Sequence, residues 1–225
     1  MSKTLSDNQR TIVAFGDSVS WGCVPDSVNL KTMIFKRFDR GIRWVGVLQS
    51  ELGRNYHVIE EALNGRTTVF DDPLLPGRNG QTYLLPCLLS HYPLDLVIIM
   101  LGTNDLKPHL GLQAAPIAKG MRNLIKDVKN SGCGLNGVIP EILVICPPSI
   151  VEGRGLLANS FIGSQAIAVE LAENYKQVAQ LEDCHFFNAG DFVAVSEADG
   201  IHLDAESNKI LGKAVTKKVI DIFSG

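Results

Sequence analysis

The sequence predicts a three-layer α/β/α sandwich around a five-stranded, mostly parallel sheet, and three observations carry that prediction. Short strand-like runs alternate with helical patterns along the whole chain, the order that winds a parallel sheet between two helical layers. The clearest run, Asp95 to Leu101, is continuously apolar after its first residue rather than alternating, as befits a strand covered on both faces. Three runs lead into polar, glycine-containing loops: Gly16-Asp17-Ser18, Asn64-Gly65-Arg66 and Gly102-Thr103-Asn104-Asp105. Open α/β sheets hold their ligands at that carboxyl edge.

Taken in order, Thr11 to Phe15 reads as a buried first strand feeding directly into Gly16-Asp17-Ser18. Cys23 to Arg40 has no clear period and reads as a surface excursion able to shape access to Ser18. Trp44, Val45, Val47, Leu48 and Leu52 fall on one helical face, which Gly53 terminates, and Tyr56 to Glu60 follows as the second strand. Asp71 to Cys87, broken by three prolines and two glycines, predicts an irregular segment before a short helix over Leu84 to Ser90. After the third strand, Ile117, Met121, Leu124, Ile125 and Val128 mark a helix ending near Asn130 to Gly132. Glu141 to Cys146 is the fourth strand, stopped by Pro147-Pro148. A helix carrying Ile167, Leu171, Tyr175 and Val178 precedes a short fifth strand at His185 to Asn188. Asp204 caps the last helix, whose stripe is Ile210, Leu211, Ala214, Val215, Val219 and Ile222.

Composition narrows the function classes. With 225 residues, 45% hydrophobic and 20% charged, one soluble domain over 1–225 is expected, with 1–10 as a flexible N-terminal segment. A net charge of -3 and a pI near 5.9 arise from interspersed acids and bases, so there is no basic stripe and no nucleic-acid partner is expected. Residues 1–10 are polar and lack the apolar core of a secretory signal, and the longest apolar run, Leu96 to Leu101, is only strand-sized. No membrane association is expected, and the cytoplasm is the default location. Cys23, Cys87, Cys133, Cys146 and Cys184 form no C-x-x-C pair and leave an odd one over, which fits reduced thiols. No two of the cysteines and histidines are read as standing at ligand spacing, Cys184-His185 being adjacent, and neither a metal nor a cofactor is expected.

The chemistry is carried by Ser18 and by Asp199-Gly200-Ile201-His202. A serine hydroxyl is a poor nucleophile at neutral pH and needs a base in reach, itself oriented by an acid. An Asp-x-x-His turn before the last helix can place the carboxylate on Nδ1 and leave Nε2 for Ser18, although the same spacing also describes a surface histidine at a helix start. The other histidines have no carboxylate in comparable register. Oxyanion donors are available at the same edge from the backbone N–H of Ser18, the backbone N–H of Gly65 and the side-chain amide of Asn104. Asp17, Trp21 and Arg66 are candidates for substrate contact, with packing or salt-bridge roles as alternatives for each.

These blocks, Gly16-Asp17-Ser18, Gly65, Gly102-Thr103-Asn104-Asp105 and Asp199-x-x-His202, resemble in order the four blocks of the SGNH (GDSL-type) hydrolases, from Thr11 to about Phe223. The resemblance implies the flavodoxin-like SGNH fold, with Ser18 as nucleophile and His202 as base and acid. Asp199 is then the orienter, and Ser18, Gly65 and Asn104 the oxyanion hole. Val19 stands where the name motif has leucine. Trp21-Gly22, Arg43-Trp44, Glu60 to Leu63, Arg66-Thr67-Thr68 with Asp71-Asp72-Pro73, and Leu94 to Asp105 look like the arylesterase and acyltransferase (perhydrolase) branch typified by a mycobacterial enzyme. That branch implies short acyl esters, acyl transfer to alcohols or peroxide as well as water, and a homo-oligomer, an octamer. The excursion and Gly65, alanine in the mycobacterial enzyme, depart from it. Carbohydrate deacetylation and thioester or lysophospholipid hydrolysis are alternatives within the fold. A non-catalytic phosphate- or flavin-binding module is the alternative from another class.

Overall fold

A computed structural model of the chain describes residues 9–224. Its sheet has five strands, β1 (Arg10–Gly16), β2 (Tyr56–Ala62), β3 (Leu96–Met100), β4 (Glu141–Cys146) and β5 (His185–Asn188), in the order β2-β1-β3-β4-β5. Every pairing is parallel, with Ile12 opposite both Val58 and Leu96. The sheet is thus wholly rather than mostly parallel, a consequence of a helical crossover between every pair of strands. The chain runs outward from β1 to β2 and then crosses to β3 on the other side. The crevice between the carboxyl ends of β1 and β3 is therefore a topological switch point, where doubly wound sheets bind ligands.

Alternation along β1 divides the core. Val13 and Phe15 face helices α3 (Gly80–Ser90), α4 (Ala114–Asn130) and α5 (Gln165–Leu181), while Ile12 and Ala14 face α2 (Trp44–Leu52) and α6 (Ala205–Ser224). The β3 residues are buried on both faces, which is why that run is continuously apolar. Gly53 stops α2 at a positive φ of 70° that suits glycine, and Asp204 Oδ1 accepts the Ser207 N–H at 2.7 Å at the start of α6.

Three sequence expectations change. Helix α3 begins at Gly80 rather than near Leu84, because Asn79 caps it by accepting the Gln81 N–H at 3.0 Å and because Leu84, Cys87 and Leu88 bury its inner face. Pro86 removes only one intrahelical bond. Arg10 is not part of a loose terminus: it opens β1 opposite Tyr56, with its guanidinium 3.9 Å above the Phe223 ring. The remainder of that expectation, 1–8, lies outside the described residues. The Cys23 to Arg40 excursion is folded back on itself by bridges between Cys23 and Arg37 and between Asn29 and Ile34. Arg37 ties it to the sheet through Glu60 and donates from Nε to the Trp21 carbonyl at 2.7 Å.

Candidate active site

The turn after β1 is built around Asp17. Its Oδ1 accepts the Val19 N–H at 2.9 Å and caps the four-residue helix α1 (Ser18–Trp21), which Gly22 closes in the left-handed region. Ser18 therefore starts a helical turn, and its backbone N–H has no protein partner among the described residues. At the far end of the chain, the loop before α6 delivers His202. Its Nε2 lies 2.9 Å from Ser18 Oγ and its Nδ1 lies 2.7 Å from Asp199 Oδ2. Ser18, Asp199 and His202 are exposed by only 7%, 3% and 4%, so the line of three side chains is shielded from water.

The Asp199 carboxylate is saturated. Oδ1 accepts the N–H groups of Ile201 and His202, both at 3.0 Å, and Oδ2 accepts the Asp26 N–H at 3.1 Å besides the imidazole. Burial opposes its charge, but these donors outweigh burial and hold the carboxyl down at about 2. Burial likewise disfavours a charged imidazole, yet the Asp199 carboxylate, with the Cys23 sulfur also beside the ring, holds His202 above its ordinary 6.5. Gly200 is required between them. It sits at φ +68°, and a Cβ there would lie 1.9 Å from the Val151 carbonyl oxygen.

The other loops complete the edge. Gly65 occupies φ +82°, and its N–H, like that of Ser18, has no protein partner among the described residues. Asn104 Nδ2 donates to the Arg66 carbonyl at 3.1 Å, while its second hydrogen has only a long 3.4 Å contact with Asp17 Oδ2. That hydrogen is the one open to a ligand oxygen. Ser18, Gly65, Asn104 and His202 all line one cavity of about 410 Å³, whose apolar wall includes Trp21, Met33, Phe35, Leu63, Leu75 and Phe161. Phe35 meets the His202 ring edge-on with centroids 6.4 Å apart.

Two candidate contacts are corrected. Arg66 and Asp17 do not line the cavity. Arg66 is buried, donates from Nη1 to the Gly16 and Glu61 carbonyls at 2.9 and 2.6 Å, and lies over the Phe15 ring. Asp17 is consumed by the helix cap. Trp21, in contrast, reaches the cavity. Three of the four remaining histidines do find carboxylates, from distant elements: His91 on Glu61, His109 on Asp72 and His185 on Glu141. Asp72 is further paired with Lys107 Nζ at 2.9 Å. Burial raises its pKa, but Lys107 and His109 pull the carboxyl down to about 2.

Sequence reasoning passed over Asp26 and Asp105. Asp26 joins the excursion to the Asp199 loop through its N–H and to Leu156 through Oδ1, which accepts the Leu156 N–H at 2.6 Å. Asp105 accepts the Thr68 N–H with both oxygens at 3.0 Å and also the Thr68 hydroxyl. It thereby fixes the loop that carries Gly65. A non-glycine at φ 51°, as Asp26 is, leaves no signal in a sequence. Asp105 stood inside a motif already noticed for Asn104.

A hydroxyl, an imidazole and a carboxylate hydrogen-bonded in line at the switch point of a parallel sheet is the layout of an α/β serine hydrolase. The family model described as GDSL-like Lipase/Acylhydrolase matches residues 14–210, and the chain belongs to that family. It is a carboxylic ester hydrolase. The native aryl esterase of M. smegmatis is 39% identical with a TM-score of 0.88, over 94% of this chain and 99% of that one. A carbohydrate acetylesterase from Sinorhizobium meliloti is also 39% identical with a TM-score of 0.88, over 95% and 100%. A lipase/acylhydrolase from Enterococcus faecalis, 19% identical with a TM-score of 0.66 over 94% and 95%, shares the fold. A search of curated proteins finds no match. Family membership sets aside the non-catalytic binding module. No helix among the described residues is long and apolar enough to cross a membrane.

Proposed function

We propose that the chain is a serine esterase of small carboxylic esters, with Ser18 as nucleophile, His202 as base and acid, and Asp199 as the orienter of His202. The observation that carries this reading is the 2.9 and 2.7 Å line from Ser18 Oγ through His202 to Asp199. Ser18 Oγ attacks the ester carbonyl carbon as its proton passes to His202 Nε2, and the carbonyl oxygen takes the negative charge. The N–H groups of Ser18 and Gly65 and the free amide hydrogen of Asn104 stabilise that oxyanion, each donor contributing about 10²- to 10³-fold in rate. Collapse expels the alcohol with the proton from His202 and leaves an acyl-Ser18. A water molecule, deprotonated by His202, releases the acid by the same steps.

A cavity of about 410 Å³ with largely apolar walls favours short acyl groups. The apolar walls also support transfer of the acyl group to alcohols or peroxide in competition with water. The similarity to a carbohydrate acetylesterase makes acetylated sugars the second substrate class to assay. Exposed Leu30, Met33, Ile34 and Leu74 support assembly into a homo-oligomer, and five free cysteines support a cytoplasmic location. The decisive experiment is hydrolysis of p-nitrophenyl acetate by Ser18→Ala. Activity falls to the residue left by positioning and the oxyanion donors, and near wild-type turnover overturns the assignment.

A further inference from the structure

We infer that Glu61, Cys87 and His91 form a zinc-binding site, separate from the catalytic cavity, that staples α3 to β2. Cys87 lies in the last turn of α3 and His91, four residues on, is the C-cap residue just beyond it, and Glu61 on β2 reaches both. The expectation of no metal, on the ground that no two cysteines or histidines stand at ligand spacing, overlooks Cys87 and His91. One ligand atom from each of the three residues lies within 4.8 Å of the others, and Glu61 Oε1 stands 2.7 Å from His91 Nε2. None of the three lines the catalytic cavity.

The donor set is chemically selective. A thiolate, an imidazole and a carboxylate are the three ligand types zinc takes, at about 2.0–2.3 Å, and three protein ligands with a fourth position open to water is a stable arrangement. Glu61 and His91 are only partly buried, so their side chains can adjust around an ion beside the buried Cys87. The carboxylate is already oriented, because Tyr83 Oη donates to Glu61 Oε2 at 3.2 Å. Binding displaces the Cys87 thiol proton to solvent and takes up His91 through an unprotonated ring nitrogen. Arg66 is the nearby cation. Its Nη1 is committed to the Gly16 and Glu61 carbonyls, and the two anionic ligands neutralise the ion's own charge.

The test uses the full chain, stripped with chelator, and cobalt(II) as a spectroscopic stand-in for zinc. One equivalent of cobalt gives a near-ultraviolet thiolate-to-metal band that zinc abolishes stoichiometrically. The band is lost in Cys87→Ser, zinc affinity falls at least about tenfold in His91→Ala and Glu61→Gln, and Cys184→Ser leaves both unchanged. Hydrolysis of p-nitrophenyl acetate reports that each variant is folded, and the partly exposed His91 decides the matter if Cys87→Ser does not fold. Absence of a thiolate band, or a band and affinity that survive His91→Ala, overturns the site.

Discussion

Two carboxylates beneath the active site make stability fall with rising pH over a range in which many proteins gain it. Asp17 and Asp105 are buried, and that burial lifts each from an ordinary 3.8 to about 6 against the hydrogen bonds they accept. Because the folded-state value is raised, the folded protein holds these protons where the unfolded chain has lost them. The associated stability is complete below about 3.8 and is lost as pH rises through 6. Other shifted groups are quiet between about pH 5 and pH 6. Asp72 and Asp199, held at about 2, are ionised in both states, and His202, raised above 6.5, is protonated in both. Over that interval each of Asp17 and Asp105 holds on average most of a proton in the folded state that the unfolded chain has already lost, worth about 1 kcal/mol apiece at about 1.4 kcal/mol per pKa unit. With a urea dependence of about 2–3 kcal/mol per molar, the midpoint drops by roughly 0.7–1 M for the pair. Urea unfolding at the two pH values measures this directly, and Asp105→Asn halves the drop. Equal midpoints at both pH values, or an undiminished drop in Asp105→Asn, refutes the reasoning.

Replacing Asp199 by Asn turns an N–H donor toward the imidazole Nδ1 and Asp26 N–H that the carboxylate now accepts. Turnover of p-nitrophenyl acetate falls about 10³- to 10⁴-fold, and the pH of half-maximal kcat/KM moves below the wild-type value as His202 loses the charge that raises it; an unmoved profile counts against the pairing. Gly200→Ala forces a side chain into φ +68° and against the Val151 carbonyl, costing about 2–4 kcal/mol and roughly 5–10 °C in Tm; an unchanged melting curve contradicts that loop geometry. Asp26→Ala removes the acceptor for Leu156 and a residue tolerant of φ 51°. Its Tm falls by a few degrees and its kcat about tenfold at temperatures where the variant is fully folded, whereas loss of stability with kcat unchanged would make Asp26 merely structural.

What the sequence reveals tracks how local the underlying physics is. The continuous run in β3 and the Gly53 stop are statements about adjacent residues and appear in the structure where they were expected, whereas the stripe of α6 is buried at Leu211, Val215 and Val219 but leaves Ile210 exposed. Ser18 and His202 could be paired across 184 positions only because both lay at strand-to-helix turns whose edge the α/β pattern already fixed. Charged side chains resisted this treatment. Arg66 and Asp17 sit in active-site motifs yet spend their polar atoms on backbone groups, and His91, His109 and His185 meet carboxylates at least 30 positions away. Asn79 capping an earlier start to α3 was masked by Pro86, a helix breaker in sequence that costs one hydrogen bond in place.

The site is held by polar anchors because apolar packing alone does not reach its loops. The strands end inside a dry core, but Ser18, Gly65, Asn104 and His202 lie beyond it, on turns whose backbone groups would otherwise be free to move. Each turn is therefore tied by a carboxylate: Asp17 on the Val19 N–H, Asp105 on Thr68, and Asp199 on Ile201 and His202. Asp26 links the last of these to the excursion that carries Met33 and Phe35 over the cavity. The same residues that fix where the oxyanion and imidazole stand thus fix the wall that selects the acyl group. Since burial raises the pKa of two of these carboxylates and the donors around Asp199 lower its own, the nucleophile and oxyanion loops lose net stability as their buried carboxylates ionise with rising pH, although each ionised carboxylate then accepts its hydrogen bonds more strongly, whereas Asp199 is ionised throughout that range.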